Sequence, residues 1–284
     1  MSTRILHISD LHLGARAGRQ DALFGVAFAG LIEQFDPELV IITGDLTHRG
    51  TASQHDEAAA FLRSLNRPLL VVPGNHDLPL LPPARLLSPW REFERCWGTT
   101  EPHYSSPGLR VAGLNSTQPL QHQGGRIARA QLARAAAWLA EGDEGDFRVA
   151  AFHHQLMGAP WRSRKRPLAA RSSVLAALTR AGVELIVSGH IHQAAICHDG
   201  DFRLDAAGVV LTTTPGLGRP RPRRRGEACG ALTYTIETDA IQVETQIWRE
   251  TSFERTASRS FARRGCGVAA EERGAAAIEA SAEA

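Results

Sequence analysis

The sequence predicts an α/β fold whose C-terminal part is built from closely spaced strands, and three features of the 284-residue chain predict it. Up to Gly189, short apolar runs alternate with longer helix-forming segments. The runs are apolar at almost every position, the pattern of strands covered on both faces. After Gly189 the helix-forming segments cease and strand-length runs follow one another closely.

Arg4 to Ile8 reads as the first strand, followed by a helical segment at Asp21 to Gln34 and a second strand at Leu39 to Ile42. Ser53 to Leu65 has helix-forming composition, with Ser53 placed as its N-cap. Leu69 to Val72, Arg110 to Leu114, Arg148 to Phe152 and Glu184 to Val187 continue the strands. Arg129 to Glu141 and Arg171 to Ala181, rich in Ala, Leu and Arg, supply helices between them. Runs around Ala194 to Cys197, Val209 to Thr213, Ala231 to Ile236 and Gln242 to Trp248 predict a second, mostly antiparallel sheet, with a hairpin turn at Asp199-Gly200. Residues 263–284 are Ala/Glu/Gly-rich with few large apolar anchors and are expected to be disordered, leaving a folded domain of 1–262.

Composition narrows the function classes. Hydrophobic residues make up 43% and charged residues 22% of the chain, the profile of a globular protein with a sizeable core. No apolar stretch approaches the roughly 18–20 residues that cross a bilayer, and the N-terminus lacks signal-peptide order, so a cytoplasmic protein is expected. Cys96, Cys197, Cys229 and Cys266 are scattered and form no CxxC pair, so they point to neither a disulfide framework nor a thiolate zinc site, and reduced thiols are expected. A net charge of +2 gives no global case for nucleic acid. Local arginine runs do: "RSRKR" at 162–166, containing the chain's one lysine, Lys165, and "RPRPRRR" at 219–225. Either run at the rim of a crevice would attract polyanions, nucleic acid included.

Metal-ligand residue types recur just past successive strands. Asp10 and His12 lie in "SDLHLG", Asp45 in "TGDLTHRG", Asn75, His76 and Asp77 in "PGNHD", His153 and His154 in "FHHQ", and His190 and His192 in "SGHIH". Loops at the carboxyl ends of strands in α/β sheets converge on one crevice, so these motifs are expected to meet. Two divalent cations about 3.5–4 Å apart need several oxygen and imidazole ligands, including a carboxylate that bridges both. Asp45 is the natural bridge, and Gly44, Gly74 and Gly189 fit the tight turns where backbone approaches the ions. Mn, Fe and Zn all accept such ligands.

With these motifs in this order, the chain resembles a calcineurin-like metallophosphoesterase over roughly residues 3–250. The resemblance implies a four-layer αββα sandwich. It implies one metal held by Asp10, His12, Asp45 and His192, and a second by Asp45, Asn75, His153 and His190. His76 is left beside the metals for catalysis. "ISDLHLG", "GDLTHRG" and "GNHD" together look most like the bacterial cyclic-nucleotide phosphodiesterase branch, whereas "FHHQL" departs from the pattern by lacking a proline after the paired histidines.

The implied reaction is attack of metal-activated water on a phosphodiester, a cyclic nucleotide such as 3′,5′-cAMP being the first choice. His76 is expected to protonate or polarise the leaving oxygen, with Asp77 orienting its ring. Asn75, Arg49 and His154 are expected at the substrate, His154 standing also as an alternative ligand to His153. A DNA nuclease and a UDP-linked lipid pyrophosphohydrolase are the competing enzymatic readings. A non-enzymatic scaffold is disfavoured, because every ligand position is filled.

Overall fold

Period-two alternation along nearly continuous apolar strands sorts their side chains to two different layers. In the computed structural model, which describes residues 2–14, 22–161, 163–198, 208–218 and 226–264, β1 (Thr3–Ile8) and β2 (Leu39–Ile42) show the rule. Ile5, Leu39 and Ile41 face one core cluster, whereas Leu6, Ile8, Val40 and Ile42 face another. The first cluster lies between two sheets, joined there by Val111, Val149, Leu185, Val187 and Tyr234. The second is completed by Phe24, Phe28 and Ile32 of α1 (Ala22–Phe35) and by Ala58 and Leu62 of α2 (Ala52–Arg63).

The first sheet runs β12-β11-β10-β1-β2-β3, with β3 at Leu69–Val71, β10 at Gly230–Ile236, β11 at Ala240–Arg249 and β12 at Ser252–Ala262. The second runs β4-β5-β6-β7-β9-β8: β4 His103–Ser106, β5 Leu109–Gly113, β6 Phe147–Ala151, β7 Leu185–Ser188, β8 Ala195–His198 and β9 Val210–Thr213. Two short helices, α3 (Ala84–Leu87) and α4 (Arg91–Trp97), lie between β3 and β4. Leu139 of α5 (Arg129–Ala140) and Val174, Leu175 and Leu178 of α6 (Arg171–Arg180) cover the outer face of the second sheet, through Ala150, Phe152 and Ile186. Helix, sheet, sheet, helix is the αββα sandwich.

Two local expectations are corrected. The C-terminal strands do not form a sheet of their own. β8 and β9 extend the second sheet, β9 lying parallel to β7, while β10 pairs antiparallel with β1 and brings β11 and β12 into the first. Both sheets are therefore mixed. Alternation tells which face a residue takes but not which edge is vacant, and the edges of β1 and β7 were the vacant ones. The N-cap of α2 is Thr51, whose Oγ1 accepts from the backbone N–H of Gln54, and not Ser53, which lies inside the helix. The Asp199-Gly200 turn, the 219–225 run and the tail from 265 lie outside the described residues.

Candidate metal centre

Parallel pairing of β1 with β2, of β2 with β3 and of β6 with β7 sets their carboxyl ends side by side. The segments leaving those ends are held by backbone bonds, including Asp10 N–H to Gly44 O and His12 N–H to Asp45 O, each 2.9 Å. Asp10, His12, Asp45, His190 and His192 all have positive φ, between 49° and 72°. Non-glycine residues avoid this region, so five occurrences at one site mark backbone held under strain by its surroundings. The alternation it produces is visible in Asp10-Leu11-His12 and His190-Ile191-His192, where the middle residue is buried in the apolar core and its neighbours turn to the crevice.

Two groups of ligand atoms result, one from Asp10, His12 and His192, the other from Asp45, His153 and His190. In the first, His192 Nε2 lies 3.1 Å from Asp10 Oδ1 and 3.2 Å from His12 Nε2. In the second, His153 Nε2 lies 3.1 Å from both His190 Nδ1 and Asn75 Oδ1, and 3.4 Å from Asp45 Oδ2. Asp45 Oδ2 joins the groups, because His12 Nε2 stands 3.8 Å away on its other side. The second carboxylate oxygen of Asp45 is occupied, accepting from His76 N–H at 2.8 Å.

These atoms fit cations. Asp10 Oδ1 and Asp45 Oδ2 are buried and accept no hydrogen bond, an arrangement costing several kcal/mol unless positive charge is supplied. His153 Nδ1 donates to Thr43 O at 2.6 Å, which leaves Nε2 carrying the lone pair toward His190 Nδ1, Asn75 Oδ1 and Asp45. Four electron-rich atoms converging there require a proton or a metal ion. With no metal, burial opposes charge on His153, but Asp45 and Asp10 outweigh it and push its pKa up to about 9. Burial likewise opposes ionised Asp10 and Asp45, but His192 beside Asp10 and His153 beside Asp45 hold both carboxyls well below the usual range. His12 moves the other way, pushed down to about 3 by burial against the pull of Asp45 and Asp10. Oxygen and imidazole donors without thiolate suit a pair of divalent ions.

His76 is half-exposed, its ring centroid 4.8 Å from that of His12, and its Nδ1 donates to the backbone carbonyl of His48 at 2.9 Å. That carbonyl replaces Asp77 as the group orienting His76. The buried Asp77 carboxylate instead accepts from Thr47 N–H and Gly74 N–H, at 2.9 and 2.8 Å, pinning the turns of the "GDLT" and "PGNHD" segments together. Those donors compete successfully because two backbone N–H groups have no other partner in such tight turns. His154 is also relocated. It is fully buried, with Nδ1 on Ser116 Oγ at 2.8 Å and its ring 4.5 Å from that of His190, so it stands behind the ligands and presents no surface to substrate. Arg49 is exposed beside His48, and Asn75 is buried with its Oδ1 in the second group.

Three residues that match none of the ligand motifs also take part. His7, joined to Thr43 Oγ1 and Tyr234 OH, backs the carbonyl that orients His153 and is kept neutral by burial, which pushes its pKa down to about 3. Lys165 donates to His190 O, and its status as the one lysine of the chain was the available signal. His48 lies at the mouth, its pKa lowered by burial and then by His76 and Arg49. Of the 162–166 run, Arg164 and Arg166 are exposed.

A sandwich of two mixed sheets carrying paired His/Asp groups at its strand ends is a metal-dependent hydrolase of the phosphoesterase kind. The family model for calcineurin-like phosphoesterases matches residues 3–194, and the chain belongs to that family. It is 28% identical over 208 residues to a Synechococcus protein named "Probable cyclic nucleotide phosphodiesterase", covering 69% of this chain and 76% of that one. It is 27% identical over 231 residues to the 3′,5′-cyclic adenosine monophosphate phosphodiesterase CpdA of Escherichia coli K12, covering 75% of each. In fold it is similar to a dimetal phosphatase from Danio rerio, with a TM-score of 0.64 at 15% identity over 92% of this chain and 99% of the other. Among the described residues no helix is long and apolar enough to cross a membrane.

Proposed function

We propose that this chain is a phosphodiesterase of nucleotides with a 3′,5′-cyclic nucleotide as its preferred substrate, and that residues 1–262 form the catalytic unit. The observation that carries the reaction type is the meeting of the two ligand groups at Asp45 Oδ2. The choice of substrate is supported by the cyclic-nucleotide relatives, whose likeness spans three quarters of their length.

In this reading Asp10, His12, Asp45 and His192 hold one divalent ion, and Asp45, Asn75, His153 and His190 the other. Bound there, the ions supply Lewis acidity and activated water for in-line attack on phosphorus. The protein does the rest by position. Thr43 O fixes the tautomer of His153, Asp77 clamps the turns carrying Asp45 and Asn75, and the strained turns keep the ligand atoms convergent. With His76 Nδ1–H bonded to His48 O, the proton His76 can deliver is the one on Nε2, and the leaving oxygen takes it. Arg49 is available to a nonbridging phosphoryl oxygen from the exposed side of the crevice.

A second reading, a nucleotide-linked lipid substrate, has an observation of its own. Leu80, Leu81, Leu86, Leu87 and Leu120 are exposed on segments tied together by Arg85, which donates to Pro79 O and Pro119 O. The test is turnover, with Mn²⁺ or Zn²⁺ supplied, of 3′,5′-cAMP, linear DNA, a UDP-linked lipid and a phosphomonoester. Highest kcat/KM on the cyclic nucleotide is expected. Preference for the lipid would move the assignment to the second reading, and preference for DNA would return the arginine runs to prominence.

A further inference from the structure

Beyond the dinuclear centre, a third group of ligand atoms forms at its mouth: His12, His48 and His76, each partly exposed, offer ring nitrogens that all lie within 4.8 Å of one another. The rings of His48 and His76 are stacked at 20° with centroids 5.8 Å apart, and His12 stands edge-on to both. His12 Nε2 already faces Asp10 and Asp45. His48 and His76 are therefore the two imidazoles that a further cation has to itself, within a few ångströms of the centre.

From this geometry we infer that His48 and His76 form an inhibitory binding site for a third, imidazole-seeking divalent cation such as Zn²⁺. The inference rests on the proposed role of His76 as leaving-group acid. A carbonyl oxygen only accepts, so the bond to His48 O places hydrogen on His76 Nδ1 and leaves Nε2 with the lone pair in the neutral ring. That lone pair is the one that must carry the proton given to the leaving oxygen. A cation on Nε2 and a proton on Nε2 exclude each other, so occupancy of the mouth removes the acid while the two ions beneath stay in place. Selectivity follows from the donors. The group is imidazole alone, which favours Zn²⁺ over Mn²⁺, since Mn²⁺ prefers carboxylate and water oxygens. Having fewer protein ligands than the sites below, it fills last.

Zinc titration of the metal-free protein, read by calorimetry and by metal content after dialysis, should show two tight equivalents and a weaker third. His48→Ala should keep the two and lose the third, with His48→Asn as a second variant and thermal melts of each to verify folding. In activity, zinc beyond two equivalents should slow the parent to the rate of His76→Ala, a loss of roughly 10²–10⁴. His48→Ala should resist that inhibition, and Mn²⁺ in equal excess should not inhibit the parent. Two equivalents with no third, or a third that survives both His48 variants, overturns this inference alone. A protein taking up no zinc overturns the dinuclear reading with it. A third equivalent that leaves turnover untouched overturns the inhibitory role.

Discussion

Gly74→Ala is a one-methyl test of how the centre is built. A Cβ added at Gly74 would sit 2.1 Å from the backbone N and 2.3 Å from Oδ1 of Asp45. Ordinary contact begins at 3.4 Å, so the nearer atom must retreat by the difference, 1.3 Å. Neither partner yields cheaply. On the other side, Gly44 and Gly74 are already backbone against backbone, a Cβ on Gly44 meeting Gly74 N at 2.3 Å. The displaced residue carries the oxygen shared by both ligand groups, and metal ligation tolerates only about 0.2 Å of error. A shift near 1 Å is several times that tolerance. The variant should therefore fold, with overpacking costing about 1–3 kcal/mol, and should retain fewer than two metal equivalents after dialysis. Metal-free melting, at roughly 2–4 °C per kcal/mol for a chain of this size class, should drop by about 2–12 °C. Gly25→Ala is the internal control. Its Cβ meets nothing within 4 Å on α1, so it should gain about 0.5–1 kcal/mol and leave metal content unchanged. If Gly74→Ala binds two equivalents with the parent's affinity, the close approach of the two turns does not hold Asp45 in place.

Three further outcomes are expected. Asp45→Ala removes the shared oxygen and the acceptor of His76 N–H together, so it should lose the paired metals and nearly all turnover; two retained equivalents with near-normal rate would refute the bridge. His76→Ala should keep both metals but lose roughly 10²–10⁴ in kcat on an alkyl diester and much less on a nitrophenyl diester, whose leaving group needs no proton; equal losses on both would refute the acid role. Metal loading at pH 7.5 should release a proton, because His153 is charged in the metal-free protein up to about pH 9 and must be neutral to ligate, so affinity should climb with pH toward that value. Calorimetry in buffers of different ionisation enthalpy measures the release, and identical heats in all of them would refute it.

Local pattern and donor chemistry were legible in the order of the amino acids. Doubly buried strands such as Leu39–Ile42 are legible because both of their faces are covered, so apolarity runs unbroken through them. The donor set was legible because a paired divalent site admits few residue types, and because carboxyl ends of parallel strands gather at one edge. Tertiary structure decided what depends on partners distant in the chain. Alternation assigns a face and not a neighbour, so the pairing of β1 with β10 and of β7 with β9 had no local signature. The same holds for single side chains. Whether Asp77 bonds to the imidazole beside it or to backbone N–H groups of Thr47 and Gly74 is decided by which donors the packed turns leave unpaired. His154 stands next to His153 in the chain and its ring packs against those of His153 and His190, yet its Nδ1 is taken by Ser116 Oγ, a partner 38 residues away that no local pattern reveals.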